Sequence, residues 1–271
     1  MHVEPAFQSP LLSVPMSPVL VEKALRDAGF DLVHAGPGGW IDARISGQDT
    51  HVAVLIVANG ALLALPTSGT AARIGLRDDS SVTAPDGLRD VGRCTSAEAL
   101  FNALHVAKSL QAHPSAKLSA RVEARLANIA VTERTAEVRQ RIGQDVFREA
   151  LIELWDGRCA VTGLAIPAPL LRASHAKPWA IANDQERLDP FNGLLLAVHL
   201  DALFDSGLMT FDDDGTALFS SSLSEPVRRA LGVLDGMRIT YLLPGHLPYL
   251  RFHRDVVLAR SNTTKKRDEH L

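Results

Sequence analysis

The chain has 271 residues, of which 46% are hydrophobic and 22% are charged, and its formal net charge is −3. This composition is that of an ordinary globular protein with room for one large domain or two smaller ones. It excludes a molecule that binds nucleic acid through overall positive charge, so such a surface must be a local patch. The sequence has two cysteines and no N-terminal signal peptide or apolar run of membrane length, which predicts a cytoplasmic protein without a membrane partner.

The first part of the chain predicts a small α+β domain over residues 17–112. Residues 1–16 are rich in Pro and Ser and indicate a loose lead-in, after which Ser17 and Pro18 open a helix. Two apolar runs joined by Asn59–Gly60 predict a β-hairpin, because both turn positions tolerate positive φ. A second helix begins at Thr95 or Ser96. The role of this domain is open, with DNA recognition as one alternative.

Residues 113–141 predict a basic helical linker, because arginines outnumber acidic residues there. The helix that follows has an apolar stripe running from Ile142 to Trp155. Arg141 and Arg148 fall together on another face, which is either a phosphate-binding surface or an ordinary solvated one.

A histidine, an asparagine and a group of carboxylates follow within a short stretch. His175 lies at the end of an apolar run that predicts a strand, and an imidazole with a pKa near 6.5 suits a general base. Asn192 precedes a second predicted strand and can bond backbone groups of the opposing loop. This arrangement predicts a base at a strand end with an asparagine that fixes its position.

The helix predicted from His199 onward carries the candidate metal ligands. Asp201 and Asp205 are four residues apart, so both carboxylates share one helical face, and His199 lies near the start of that turn. Carboxylate oxygens favour Mg²⁺ or Mn²⁺, and an imidazole ligand extends the choice to Ni²⁺ or Zn²⁺. One divalent metal ion of open identity is predicted.

Four segments in this order resemble successive blocks of the HNH endonucleases: Cys159–Gly163, Ala173–Trp179, Asn192–Leu196 and His199–Asp205. The resemblance extends from Thr132 to Phe219 and is greatest to the bacterial restriction-type and genome-defence subgroup. It implies a C-terminal ββα-metal nuclease domain, set here at residues 142–260 and followed by a mobile tail over residues 261–271.

The resemblance also implies roles for residues. His175 matches the general base, Asn192 the positioning asparagine, and Asp201 and Asp205 the two ligand positions on the helix, with His199 as a further candidate. Ser174 stands where relatives often carry another metal ligand. The paired Cys-x-x-Cys knuckles of many relatives are missing, so no structural zinc is expected.

The sequence therefore predicts a metal-dependent endonuclease that hydrolyses DNA. Sign and position make four residues the candidates for phosphate contacts: Arg141, Arg148, Arg172 and Lys177. Double-strand cutting by a single active site would favour a homodimer. Two alternatives stay open: a DNA-binding or regulatory module that keeps the fold with a weakened site, and a domain active only inside a complex.

Overall fold

The structure is a computed structural model that describes residues 15–79, 81–112, 115–129 and 136–258. The chain divides into two compact units, one of residues 1–72 and 76–107 and the other of residues 73–75 and 108–271. Both units contain helices and strands, which confirms the predicted α+β class. No helix within the described ranges combines the length and apolar character of a membrane span. Most of the predicted lead-in and all of the predicted tail lie outside those ranges.

The N-terminal unit is built on a six-stranded antiparallel sheet with the order β1-β2-β3-β4-β6-β5. Its strands are β1 (Leu32–Ala35), β2 (Ile41–Arg44), β3 (His51–Val57), β4 (Gly60–Leu65), β5 (Arg77–Asp78) and β6 (Asp90–Cys94). The helices in this part of the chain are α1 (Pro18–Asp27), α2 (Thr70–Arg73) and α3 (Ala97–Ala112). The Ser17 hydroxyl accepts from Leu20 N, and Ser96 caps α3 by accepting from Ala99 N.

Side chains are buried on both faces of this sheet. Val54 and Leu63 lie opposite each other on one face and are fully buried. On the other face, Ala53 and Leu62 belong to a buried cluster that includes Trp40. Burial on both faces explains why β3 and β4 are nearly continuous apolar runs instead of alternating ones.

The predicted hairpin is confirmed, but its turn is displaced by one residue. Val57 pairs with Gly60, so the turn residues are Ala58 and Asn59 instead of Asn59 and Gly60. Gly60 is the first residue of β4 and has a φ of 124°. A Cβ at this position would overlap the carbonyl oxygen of Cys94 in the neighbouring strand. Glycine is required here by both the backbone conformation and the close approach.

The C-terminal unit contains mostly helices and two small antiparallel sheets. Its helices are α4 (Ser115–Ala127), α5 (Ala136–Leu154), α6 (Asp184–Arg187), α7 (Val198–Asp205), α8 (Glu225–Ala230) and α9 (Leu247–Phe252), and a π-helical turn covers His253–Leu258. The strands are β7 (Leu171–His175), β8 (Gly193–Ala197), β9 (Met209–Phe211) and β10 (Ala217–Phe219), with β7 paired to β8 and β9 to β10. Both α5 and α7 contact the β7–β8 pair.

The apolar stripe of α5 explains how this helix packs. Val146, Phe147, Ala150 and Leu151 are buried, as the helical spacing predicts. Before α5, the helix α4 ends at Ala127, and residues 130–135 lie outside the described ranges.

The predicted basic bias of the linker is offset by ion pairs within the unit. Arg121 and Arg125 both pair with Glu149 of α5, and Arg139 pairs with Glu123 of α4 at 2.7 Å. These acidic partners come from the same two helices, so α4 and α5 present a mixed surface instead of a purely basic one.

Candidate active site

The candidate site lies at the end of β7, where Ser174 and His175 are the last two residues. Successive side chains of a strand point to opposite faces. Ser174 faces α7, where its hydroxyl donates to Asp201 Oδ1 at 2.6 Å. His175 faces α5, where its ring stacks on Phe147. We call these two faces the α7 side and the α5 side of the β7–β8 pair.

Asn192, just before β8, is hydrogen-bonded to the loop that follows β7. Its side chain is fully buried, and its Oδ1 accepts from Lys177 N at 2.7 Å. Its Nδ2 donates to Lys177 O at 3.2 Å and to Glu186 O at 2.9 Å. Its own carbonyl accepts from Ala176 N, one residue after His175. These bonds are the contacts that a residue positioning the base loop needs.

The imidazole of His175 lies between two aromatic rings. Phe147 stacks on it with ring centroids 3.8 Å apart and planes inclined by 17°, and Trp179 meets it edge-on at 5.6 Å. Gly193 pairs with His175 across the strands, and a Cβ there would overlap the Phe147 ring. Because residue 193 is a glycine, the Phe147 ring has space to stack on the imidazole.

The surroundings of His175 determine its protonation. Its Nε2 lies 2.9 Å from the carbonyl oxygen of Arg187. A carbonyl only accepts hydrogen bonds, so Nε2 carries the hydrogen and Nδ1 is the basic nitrogen of the neutral ring. Burial lowers the pKa of His175 to about 4, against a smaller opposing effect of the Arg187 carbonyl. At neutral pH the ring is therefore neutral and its Nδ1 can take a proton.

The α7 side is polar. Ser174 is 2% exposed, and its partner Asp201 lies one helical turn before Asp205. Burial raises the pKa of Asp205, and the negative charge of Asp201 raises it further. Two carboxylates thus lie close enough to repel each other, an arrangement that a bound cation would relieve.

The structure brings together only part of the predicted metal-ligand set. Ser174, Asp201 and Asp205 lie on the α7 side, but His199 is exposed and only two residues from Asp201, so it points to a different side of the helix. No group of three or more His, Cys, Asp or Glu residues that could hold a metal is found in the described part of the chain. Two carboxylates and a hydroxyl fit a hard ion that keeps several water ligands, such as Mg²⁺, better than zinc.

The predicted phosphate-binding residues differ in whether their charged groups are already bonded to other groups of the protein. Arg148 donates to two backbone carbonyls in and just before β7, at 2.7 and 2.6 Å, and Arg172 donates to a carbonyl at 2.9 Å. Lys177 Nζ lies 2.7 Å from both carboxylate oxygens of Glu186. Arg141 is exposed on α5. Arg148 and Lys177 therefore hold the loops of the site together.

Two residues that the sequence did not single out contribute to the environment of His175. Phe147 was predicted only as part of the apolar stripe, and Arg187 was not identified. A signal for Arg187 was available, because Asn183 and Glu186 form a capping box that starts α6 and places Arg187 at its last position.

Comparison with known proteins identifies one segment of the C-terminal unit. Residues 159–212 match a family model described as HNH endonuclease. This range contains β7, β8 and α7 with His175, Asn192 and both aspartates, and the match supports nuclease activity on DNA in general for this part of the chain. The chain therefore carries a domain of the HNH endonuclease family, as the sequence resemblance implied. HNH nucleases generally use a divalent metal ion. No curated protein matches the chain.

Proposed function

We propose that the protein is a metal-dependent endonuclease of restriction or genome-defence type that hydrolyses DNA phosphodiester bonds. The observation that carries this proposal is the end of β7, where consecutive residues present a neutral imidazole on one side and a hydroxyl bonded to a carboxylate on the other. Ser174 and His175 are the last two residues of β7, so in this proposal the scissile phosphodiester lies across the end of the strand.

His175 is the general base in this proposal. Nδ1 takes a proton from the attacking water, while the bond from Nε2 to the Arg187 carbonyl fixes the ring plane and the tautomer. Asn192 holds the two loop segments that flank the base. Phe147 and Trp179 pack against the ring, and its partial burial keeps it neutral.

Asp201 and Asp205, with Ser174 as a weaker partner, are the residues that would hold the divalent ion. When bound, Mg²⁺ or Mn²⁺ supplies charge stabilisation at the phosphate and lowers the pKa of a coordinated water. The hydroxyl of Ser174 orients the Asp201 carboxylate by donating to Oδ1. Burial is the larger cause of the raised pKa of Asp205, and the negative charge of Asp201, which raises it further, supports a cation at this position.

We assign substrate preference to the N-terminal unit, within residues 17–112. A base and a pair of carboxylates act on the backbone of DNA, which carries no sequence information by itself. Selection of a sequence or of a modified base therefore needs another surface, and the six-stranded sheet is the largest remaining element. Cutting both strands with one site per chain would require a homodimer.

Plasmid cleavage tests this function. The wild type and His175→Ala are incubated with supercoiled DNA and Mg²⁺, Mn²⁺ or Ni²⁺. Val227→Ala is the control, since Val227 is exposed on α8, a helix that carries none of the proposed site residues. We expect loss of the base to lower the cleavage rate by about 10²–10⁴-fold, as for other general bases. Equal cleavage by the wild type and His175→Ala would falsify the assignment of the base.

A DNA-binding module that keeps the fold without cleaving is the second candidate. It is favoured by the α7 side, where a serine hydroxyl takes the place of a third strong metal ligand. DNA binding without cleavage under all three metals, in the wild type itself, is the result that would select this candidate.

A further inference from the structure

Trp179 contacts the ring of His175, the proposed base, and connects it to neighbouring elements. It follows β7 in the loop before α6, is half-buried, and places the edge of its indole against the His175 ring with the planes inclined by 86°. The contact joins the base to a loop residue that also touches α5 and α6. The position of the indole thus bears directly on the position of the imidazole.

The far edge of the indole rests on the backbone of α5 at Gly143. A Cβ built on Gly143 would lie 2.5 Å from Cη2 and 3.1 Å from Cζ2 of Trp179. Gly143 is buried inside a helix of 19 residues, where glycine costs about 1 kcal/mol relative to alanine. The close approach of Trp179 gives a physical reason for a glycine at this position.

Arg187 fixes the same indole from the other side. Its Nε donates to the Trp179 carbonyl at 2.9 Å, its guanidinium carbon lies 5.4 Å from the centroid of the indole, and its Nη1 bonds Asp184 at 2.9 Å. The carbonyl of the same Arg187 accepts from His175 Nε2. One residue therefore holds both the tryptophan and the histidine that the tryptophan touches.

Space beside the indole shows that packing alone does not fix the ring. A cavity of about 150 Å³ lies next to it, lined by residues that include Val122, Gly143, Arg187 and Leu188. The ring has room to move into this cavity if it is pushed from the helix. We propose, on the basis of the proposed function, that Trp179, seated on Gly143 and held by Arg187, is a positioning residue for His175.

The test uses the full chain and three variants. Gly143→Ala adds the methyl group that would meet the indole, Trp179→Phe removes the atoms that the methyl group would meet, and the double variant combines them. The matched control is Gln144→Ala, an exposed neighbour on α5 that leaves the indole untouched. Single-turnover cleavage gives the rate constant, and its dependence on enzyme concentration gives DNA affinity.

We expect Gly143→Ala to lower the rate constant by up to about 10²-fold, as for a displacement of about 1 Å, with DNA affinity unchanged. The double variant should cleave as fast as Trp179→Phe alone, because the added methyl group then has no indole to displace. Effects that multiply in the double variant would mean that the added methyl group does not act through the indole. In that case, or if Gly143→Ala cleaves like Gln144→Ala, Trp179 is not a positioning residue.

Arg187→Lys adds an independent arm. The lysine keeps the charge but cannot donate in the same way to the Trp179 carbonyl and Asp184. We expect Arg187→Lys to lower the rate constant and to leave DNA affinity unchanged. If it instead lowers the affinity and leaves the rate constant unchanged, Arg187 binds DNA and does not position Trp179. If the wild type cleaves no DNA under any of the three metals, the proposed function itself fails; if it cleaves and His175→Ala cleaves equally, the assignment of the base fails, whatever these variants do. If His175→Ala is inactive and Gly143→Ala is fully active, only this inference fails.

Discussion

The two sides of the β7–β8 pair place neighbouring residues in opposite environments. On the α5 side, His175 is enclosed by Phe147 and Trp179, and burial lowers its pKa to about 4. On the α7 side, Asp201 accepts a bond from Ser174 and contributes to the raised pKa of Asp205. A strand only five residues long thus separates an apolar cage from a polar cluster.

This difference shows how one strand can supply both a base and an anionic pair. The alternation of side chains sends consecutive residues to opposite faces, so Ser174 and His175 meet different partners although they are neighbours in the chain. In the proposed function each side keeps its group in the form that hydrolysis would require: a neutral imidazole able to take a proton, and carboxylates whose repulsion favours a cation. The predictions below alter one side at a time.

The largest expected effect concerns the α5 side and pH. Because the folded state lowers the pKa of His175 from 6.5 to about 4, protonation favours the unfolded chain. The contribution of this residue to the free energy of unfolding is complete above pH 6.5 and is lost as the pH falls toward 4, by about 3 kcal/mol in all. Urea unfolding of the wild type and His175→Gln between pH 7 and 4 measures it. Identical pH dependence in both proteins would contradict the buried, neutral state of His175.

A smaller effect is expected on the α7 side. Asp201→Asn keeps an oxygen acceptor for Ser174 but removes one charge from the pair, and we expect the half-saturating Mg²⁺ concentration for cleavage to rise by about 10–100-fold. His199→Ala should leave that concentration unchanged, since His199 points away from both aspartates. The measurement is a titration of cleavage against Mg²⁺. A larger effect of His199→Ala than of Asp201→Asn would contradict the proposal that Asp201 holds the metal ion and His199 does not.

The local elements of the site follow from the sequence because each depends on neighbouring residues. The strand that ends at His175, the strand after Asn192 and the helix that carries both aspartates occur close to their predicted positions. Their order and residue types carry the resemblance that the family match supports.

The contacts between distant segments could not be predicted in this way. Arg148 donates to carbonyls more than 19 residues further along the chain, and Arg121 is paired with Glu149. Neither side chain is therefore as available to a phosphate as its positive charge alone suggests. Helical spacing by itself places His199 on a different side of α7 from Asp201. The cage around His175 likewise depends on Phe147 and Arg187, which approach it only in the folded chain.

The most direct test of the account is the titration of the His175 ring in the full-length protein, followed by nitrogen-15 NMR and assigned with His175→Gln. The account predicts a neutral ring at pH 7 with the hydrogen on Nε2, and a midpoint far below 6.5 and near 4. A midpoint at or above 6.5, or a hydrogen on Nδ1 at neutral pH, would contradict the claim that the fold keeps His175 ready to take a proton.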